Sequence, residues 1–192
     1  GLADWLVDNQ STEFAGFCGG HTHQMQQLRE RRPANTPNVV PTSYGVKALL
    51  RAGTYEERYA EVALSAEQFL IEELNYTELD EGARIVYQPL FDGEFYTLNG
   101  GAVGARYLVG LYDRFGEQKR LKRGQKLLDY IATKQTAAGG WMYRDPPSAS
   151  HLSMDNHHNG FIIEAYQRYA EVAGDGRYDD VIERAVPFYR KR

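Results

Sequence analysis

The sequence predicts an all-α protein whose helices pair into hairpins, and three observations support this fold class. Three segments repeat one helix–turn–helix pattern, and their turns at Gly53, Gly116 and Gly174 are about 60 residues apart. In each pair the first helix is apolar on nearly all sides, whereas the second is amphipathic. Alternating inner and outer helices of this kind are typical of an α/α toroid, a ring of helical hairpins with little β-structure.

The predicted hairpins have similar boundaries. They pair Tyr44 to Ala52 with Glu56 to Leu74, Asn99 to Phe115 with Gln118 to Lys134, and Asn159 to Ala173 with Tyr178 to Arg192. Glycine is expected at the turns because a helix end commonly requires a left-handed residue just beyond it. Pro187 is expected to kink the last helix or end it early. A full toroid has more hairpins than these three, so we expect a partial ring.

Composition limits the function classes. The chain has 192 residues, 42% hydrophobic and 25% charged, which predicts one soluble globular domain over residues 1–192. A net charge of −4 with scattered basic residues gives no support to nucleic-acid binding. No run of about 18 apolar residues predicts a membrane span. Cys18 stands alone, which excludes an internal disulfide and favours a reducing, cytoplasmic location.

The ends and the loops carry further expectations. The chain opens on Gly1 inside a helical-looking run, so we expect it to be part of a longer protein. Long segments, roughly 11–43, 75–98 and 135–158, precede the inner helices, and long loops are usually functional. In a ring of hairpins they emerge at one end, where we expect the site. Short β-pairing is expected around residues 85–87 and 95–97.

The segment from Asp155 to Gly160 carries the main candidate chemistry. Asp155 is predicted to act as a general acid or base, and His158 to orient it or to transfer a proton itself. The alternative is that Asp155 or Asn156 caps the next helix while the histidines form hydrogen bonds. The two roles are compatible with each other.

Aromatic residues in the loop that precedes this segment, Gly139 to Pro147, are typical of a sugar platform. Trp141 and Tyr143 offer ring faces on which a pyranose can stack, and Arg144 offers a charged group for hydroxyls or carboxylates. The alternative is a packing joint between hairpins formed by Gln135, Gly140 and Trp141. For Trp141 we favour the joint slightly; Tyr143 and Arg144 are the better ligand candidates.

Other polar residues complete the predicted site. His21 and His23 have the spacing of two metal ligands, which His157 or Asp155 would complete, but a structural or substrate-binding role shared with Gln24 is favoured. No metal and no cofactor are therefore expected. Tyr44, Asn99 and Asn159 occupy equivalent inner-helix starts and are predicted to converge with His158 on an oligosaccharide. Helix N-termini favour an anionic group there, such as a uronate or a phosphate.

Four motifs resemble a known family. They are Thr36-Pro37-Asn38-Val39-Val40-Pro41-Thr42-Ser43-Tyr44, Leu98-Asn99-Gly100-Gly101-Ala102, Gly139-Gly140-Trp141-Met142-Tyr143 and Asp155-Asn156-His157-His158-Asn159-Gly160-Phe161. The chain resembles α/α-toroid proteins encoded among polysaccharide and archaeal N-glycan assembly genes, which are relatives of six-hairpin glycosidases and of the terpenoid-cyclase toroid. The last motif is similar to the family's Asp-Asn-aromatic-His-Thr-Gly-Phe, so His158 matches the family histidine. His157 replaces the aromatic and Asn159 replaces the threonine. The resemblance implies no metal.

These observations predict a carbohydrate-active protein of a glycan or polysaccharide pathway, which binds an oligosaccharide and hydrolyses or modifies it. Hydrolysis requires two carboxylates, and Asp145, Asp92 and Glu94 are candidates for the second beside Asp155. An epimerase or lyase would instead use His158 and Tyr44 for proton transfer. The alternative from another class is a non-catalytic glycan or lipid-linked-glycan binding protein. Terpenoid-cyclase-like chemistry ranks last because no Asp-rich cluster is present.

Overall fold

The computed structural model describes residues 1–27, 30–89 and 93–191, and these are mainly helical. Their seven α-helices are α1 (Leu2–Asp8), α2 (Val39–Ala52), α3 (Glu57–Gln68), α4 (Leu98–Phe115), α5 (Gln118–Thr133), α6 (Asn156–Ala173) and α7 (Asp179–Arg190). A π-helical stretch, Phe69–Glu73, follows α3, and a 3₁₀ turn spans Pro147–Ala149. None of the described helices has the length and apolar character needed to cross a membrane.

The chain folds as two compact units. The first comprises Gly1–Asn75 with Tyr87–Phe91, and the second comprises Tyr76–Val86 with Asp92–Arg192. The three predicted hairpins are α2–α3 in the first unit and α4–α5 and α6–α7 in the second. The single domain over residues 1–192 stays a prediction.

In the first unit, α2 begins earlier than the sequence predicts. The Asn38 side chain caps α2 by accepting a hydrogen bond from the Val40 amide at 3.1 Å. Pro41 is tolerated in the first turn because a backbone N–H at that position has no partner within the helix. Tyr44 therefore lies in the second turn of α2 rather than at its start, which corrects its predicted equivalence with Asn99.

The turn after α2 also differs from the prediction. Gly53 has a right-handed φ of −62°, whereas Gly116 and Gly174 have the expected left-handed values of 75° and 66°. A Cβ at Gly53 would lie 2.5 Å from the Cβ of Ala60. Glycine is thus required here because the end of α2 approaches α3 closely.

In the second unit, α4 packs against both α5 and α6, and α7 packs against α6. Every residue of α4 from Leu98 to Val109 is buried, including Arg106, which pairs with Glu164 of α6. Helix α6 is less apolar than predicted, since Glu164 and Gln167 are exposed. Helix α7 continues through Pro187 to Arg190, so the expected early end is wrong. The carbonyl that loses its helical partner there belongs to Glu183, which is exposed.

Six short strands form three antiparallel pairs within the described residues. They are β1 (Met25–Gln27) with β2 (Glu30–Arg32), β3 (Thr77–Leu79) with β4 (Gly82–Arg84), and β5 (Tyr96–Thr97) with β6 (Arg144–Asp145). The expected pairing around residues 95–97 is confirmed. The pairing expected at 85–87 is wrong, because the strand lies at Gly82–Arg84, where the Gly82 backbone approaches α5 too closely for a Cβ. The β5–β6 pair joins the segments that precede α4 and α6.

Candidate functional site

The first turn of α6 brings Asp155 and His158 together. As the N-cap residue, Asp155 accepts a hydrogen bond from the His158 amide through Oδ1 at 2.9 Å. The same carboxylate faces the imidazole, with Oδ1 3.0 Å and Oδ2 2.8 Å from Nδ1. An ionised carboxylate only accepts hydrogen bonds, so Nδ1 is the donor to Asp155, and in the neutral form of the imidazole the lone pair lies on Nε2. The Asp155 carboxylate therefore caps α6 and contacts the His158 ring at the same time.

The surroundings of Asp155 favour the ionised form of its carboxyl group. Burial raises the pKa of Asp155, but hydrogen bonds from the amide and the imidazole of His158 outweigh this effect and hold the pKa below its ordinary value. Asp155 is therefore ionised at neutral pH. The His158 side chain is 23% exposed, and within the described chain no hydrogen bond engages its Nε2. That nitrogen is the atom of the pair available to a ligand.

A series of ring contacts surrounds His158. Its ring lies edge-on to Tyr143 at 4.6 Å between centroids and edge-on to His157 at 5.0 Å. Tyr143 also contacts His151 at 5.2 Å, and His157 contacts Phe161 at 5.0 Å. Burial, Arg144 and His158 lower the pKa of His151. His151 could not be predicted as a neighbour of Tyr143, because only the path of the loop brings the two residues together.

Asn159 and Trp141 are buried parts of the framework. Asn159, 1% exposed, accepts from the Trp141 amide at 2.7 Å and donates to the Trp141 carbonyl at 3.1 Å and the Asp155 carbonyl at 2.9 Å. The contacts of Asn159 are those of a positioning residue, and its role as a sugar ligand stays a prediction. It fixes the Trp141 loop to the start of α6.

Trp141 forms the packing joint rather than an open platform. The indole is 1% exposed, donates to the Ile131 carbonyl at 2.9 Å and stacks on Tyr166 with centroids 5.9 Å apart. Gln135 donates to the carbonyls of Gly139 and Val181, both at 2.9 Å. A buried indole cannot offer its face to a sugar, which leaves Tyr143 as the candidate for a sugar platform.

The same loop reaches the start of α4. The Tyr143 carbonyl accepts from the Leu98 amide at 3.1 Å, and Arg144 pairs with Thr97 in the β5–β6 ladder. The Arg144 guanidinium lies 3.7 Å from the centre of the Phe95 ring and donates to the Ala149 carbonyl at 3.2 Å. These contacts connect the N-terminal turn of α4 to the loop that carries Tyr143.

Asn99, the second residue of α4, has an unusual environment. It is 4% exposed, and its side-chain Oδ1 has no hydrogen-bond partner in the described part of the chain. A buried acceptor without a donor costs about 1–3 kcal/mol. Because this oxygen is also inaccessible to solvent, a ligand could reach it only if the surrounding residues moved.

The candidates for a second carboxylate differ in their surroundings. Asp145 accepts a hydrogen bond from the Tyr130 hydroxyl, and its Oδ2 lies 3.5 Å from the Lys134 ammonium. Glu94 is exposed, and Asp92 lies outside the described residues. Asp145 is thus already engaged by Tyr130 and Lys134.

The remaining predicted site residues belong to the first unit. The rings of His21 and His23 lie 5.7 Å apart, His23 and Gln24 are exposed, and Tyr44 is 46% exposed. Their convergence with the residues of the second unit stays a prediction. Across the described ranges, no group of three or more His, Cys, Asp or Glu residues is arranged to hold a metal ion.

Comparison with known proteins shows the fold. No family model and no curated protein matches the chain. The chain is similar to cellobiose 2-epimerase from Bacillus thermoamylovorans (TM-score 0.74, 14% identity, 96% of this chain and 51% of that one). It is also similar to a GH76 α-mannanase of Bacteroides thetaiotaomicron (TM-score 0.64, 14% identity, 87% of this chain and 50% of that one). A third similar structure is unsaturated glucuronyl hydrolase from Bacillus sp. GL1 (TM-score 0.67, 14% identity, 98% of this chain and 54% of that one).

These solved structures are six-hairpin glycosidase-like enzymes, so the predicted α/α-toroid fold class is confirmed. The chain spans about half the length of each of them, and it therefore corresponds to part of such a ring. At 14% identity, the likeness shows the fold alone.

Proposed function

We propose that this chain is a carbohydrate-active protein of a glycan or polysaccharide pathway, in which Asp155 and His158 transfer a proton on a bound sugar. The observation that carries the proposal is the carboxylate–imidazole pair, with both Asp155 oxygens within 3.0 Å of His158 Nδ1. The structural neighbours support the substrate class, because their names describe an epimerase, a mannanase and a glucuronyl hydrolase. The role in archaeal N-glycan assembly, which the sequence motifs imply, belongs to the same proposal.

The reaction begins at the free nitrogen of His158. Nε2 removes a proton from a sugar carbon next to a carbonyl or carboxylate, and the bonding electrons stay on the substrate as an enolate. The negative carboxylate of Asp155 stabilises the imidazolium that forms. Delivery of a different proton from a donor on the opposite face gives an epimer. If instead a neighbouring oxygen substituent leaves with its bonding electrons and takes up the proton held by the His158 imidazolium, the product is an unsaturated sugar. Tyr44 remains the proposed partner in this proton transfer.

Hydrolysis is less well supported than proton transfer. It normally needs two carboxylates that flank the scissile bond. Asp155 is engaged by His158, and Asp145 is engaged by Tyr130 and Lys134. A non-catalytic glycan-binding role is the second candidate.

Hydrogen exchange with solvent distinguishes these candidates. The protein is incubated in D₂O with neutral and uronate-containing oligosaccharides, and proton NMR follows deuterium incorporation at sugar carbons. We expect incorporation with the wild-type chain and a loss of about 100-fold or more in His158→Gln and Asp155→Asn, since a positioned acid–base group contributes about 10²–10⁴. Asp113→Asn, which removes an exposed carboxylate of α4, is the matched control and retains the wild-type rate.

Each of the other outcomes would reject a specific part of the proposed function. Exchange that persists in His158→Gln would show that this histidine is not the base. Sugar binding without exchange or cleavage would leave the binding-protein alternative. Release of a reducing sugar without exchange would indicate hydrolysis, and the proton-transfer scheme would be wrong.

A further inference from the structure

We propose that His157, Gly160, Phe161 and Tyr189 form a subsite for a second sugar ring, next to the ring on which His158 acts. The inference rests on the proposed function, because it takes the ligand to be an oligosaccharide. All four residues belong to the second unit. They take no part in the proton transfer itself, so the subsite adds recognition of a longer sugar chain to that chemistry.

Three of these residues share one face at the start of α6. Phe161 lies four residues after His157, and Gly160 lies three residues after it, so the helix places them side by side. The His157 and Phe161 rings are in edge-on contact, with centroids 5.0 Å apart. His157 is exposed, whereas Gly160 and Phe161 are half-buried. The missing side chain of Gly160 therefore leaves open surface beside two aromatic rings.

Tyr189 of α7 borders this open surface. A Cβ at Gly160 would lie 3.4 Å from the Tyr189 hydroxyl oxygen and 3.5 Å from its ring carbon Cε2. The Asn156 side chain donates to the Tyr189 carbonyl at 3.1 Å, which holds the end of α7 against the start of α6. Tyr189 nevertheless stays 42% exposed. It therefore offers ring surface and a hydroxyl group beside Gly160.

Neither backbone conformation nor packing requires glycine at position 160. Gly160 lies inside α6, and its φ is not in the left-handed region. A Cβ would make only ordinary van der Waals contacts there, at 3.4 Å or more. Glycine inside a helix is less favourable than alanine because it loses more conformational freedom on folding. Among the ordinary uses of glycine, this leaves the close approach of a ligand to the backbone.

The side chains around Gly160 match the chemistry of a sugar ring. Phe161 supplies apolar surface, and His157 and Tyr189 combine an aromatic body with a polar tip. Among the described residues, no hydrogen bond engages the His157 ring or the Tyr189 hydroxyl, so both can bond to sugar hydroxyls. A pyranose presents both kinds of surface, since its C–H groups are apolar and its hydroxyls are polar.

The subsite is continuous with the Asp155–His158 pair. The His157 ring is edge-on to His158 at 5.0 Å between centroids, and the Tyr143 ring contacts His158 at 4.6 Å. The rings from Tyr143 through His158 and His157 to Phe161 thus form one connected series. An oligosaccharide with one unit at His158 therefore extends its neighbouring unit along His157. This arrangement favours an oligosaccharide over a monosaccharide.

The test measures how much a second sugar unit improves binding to the 192-residue chain. NMR titrations of the ¹⁵N-labelled chain give the dissociation constants of three pairs of probes. The pairs are glucose and cellobiose, mannose and mannobiose, and D-glucuronate and a glucuronyl-glucose disaccharide. For at least one pair we expect the disaccharide to bind about tenfold more tightly than the monosaccharide. Gly160→Ala and Tyr189→Ala should each reduce this ratio to about twofold or less.

Matched variants separate the subsite from general effects. Gln167→Ala changes an exposed residue two turns further along α6, and Tyr55→Ala removes an exposed tyrosine of the first unit; both should keep the wild-type ratio. Gly160→Ala introduces a better helix former, so we expect an equal or higher Tm. Tyr189→Phe keeps the ring, so its ratio should lie between those of wild type and Tyr189→Ala. It decides the role of Tyr189 if Tyr189→Ala does not fold.

Several results would overturn the subsite. A ratio near one for every pair in the wild-type chain would mean that no second ring is recognised. A wild-type ratio in both Gly160→Ala and Tyr189→Ala would place the second ring elsewhere, and an equal fall in Gln167→Ala would indicate a general effect on the helix.

The subsite and the proposed function can fail separately. Deuterium incorporation into monosaccharides, with a binding ratio near one, would reject the subsite and leave the proton transfer intact. A Gly160-dependent ratio of about tenfold without deuterium incorporation into any sugar would keep the subsite and reject the proton transfer.

Discussion

Asn159→Ala tests whether Asn159 is a framework residue or a ligand. The substitution removes the acceptor of the Trp141 amide (2.7 Å) and the donor to the Trp141 carbonyl (3.1 Å). Trp141 is 1% exposed, so water does not replace these bonds without movement of the loop. Each buried group left unpaired costs about 1–3 kcal/mol, and partial relaxation of the loop reduces the sum. We expect the free energy of unfolding to fall by about 2–4 kcal/mol.

The measurement is urea unfolding followed by circular dichroism, with thermal unfolding in parallel. For a chain of this length, 1 kcal/mol corresponds to about 2–4 °C in Tm, so a loss of 3 kcal/mol lowers Tm by about 6–12 °C. Asn156→Ala is the matched control three residues earlier on the same helix. Its half-buried side chain donates one hydrogen bond, to the Tyr189 carbonyl at 3.1 Å, and we expect a loss of about 1 kcal/mol or less.

Two results would refute the framework role. Equal stability of Asn159→Ala and Asn156→Ala would mean that the hydrogen bonds to Trp141 contribute little. An Asn159→Ala variant with wild-type stability but no sugar binding would show that Asn159 contacts the ligand, as the sequence alone predicts.

Two further predictions concern residues away from the site. Gly53→Ala places a Cβ 2.5 Å from the Cβ of Ala60 and should cost about 1–3 kcal/mol in urea unfolding through overpacking; an unchanged midpoint would contradict the close approach of α2 and α3. Burial, with the nearby charge of Glu73, raises the pKa of the Cys18 thiol to about 12. The native protein should therefore react with a thiol reagent at pH 8 only after denaturation, and rapid labelling of the folded chain would contradict this.

The helices could be predicted because their signals are local. Apolar periodicity and glycines marked α4, α5 and α6 to within three residues at every end. The predicted start of α2 at Tyr44 lies five residues after the observed start at Val39, because the first turn of a helix tolerates a proline such as Pro41. The reason for Gly53 could not be predicted because it depends on the approach of a second helix.

Within the candidate site, too, only the local contacts could be predicted. The pairing of Asp155 with His158 follows from a spacing of three residues on one helix, which a sequence displays directly. His151 and the buried Oδ1 of Asn99 depend on the path of two loops and on the β5–β6 register, so the sequence offered no signal for His151.

Because Asp155 caps α6 and is also the proposed proton partner of His158, replacing it by alanine would confound stability with activity. Asparagine separates the two roles. Its side-chain oxygen can keep the 2.9 Å bond from the His158 amide, and asparagine is as good an N-cap as aspartate, so we expect stability within about 0.5 kcal/mol of wild type. Its NH₂ group then faces Nδ1 and donates, which moves the imidazole proton to Nε2 and removes the base. A stable Asp155→Asn variant with undiminished exchange would show that the carboxylate is only a cap.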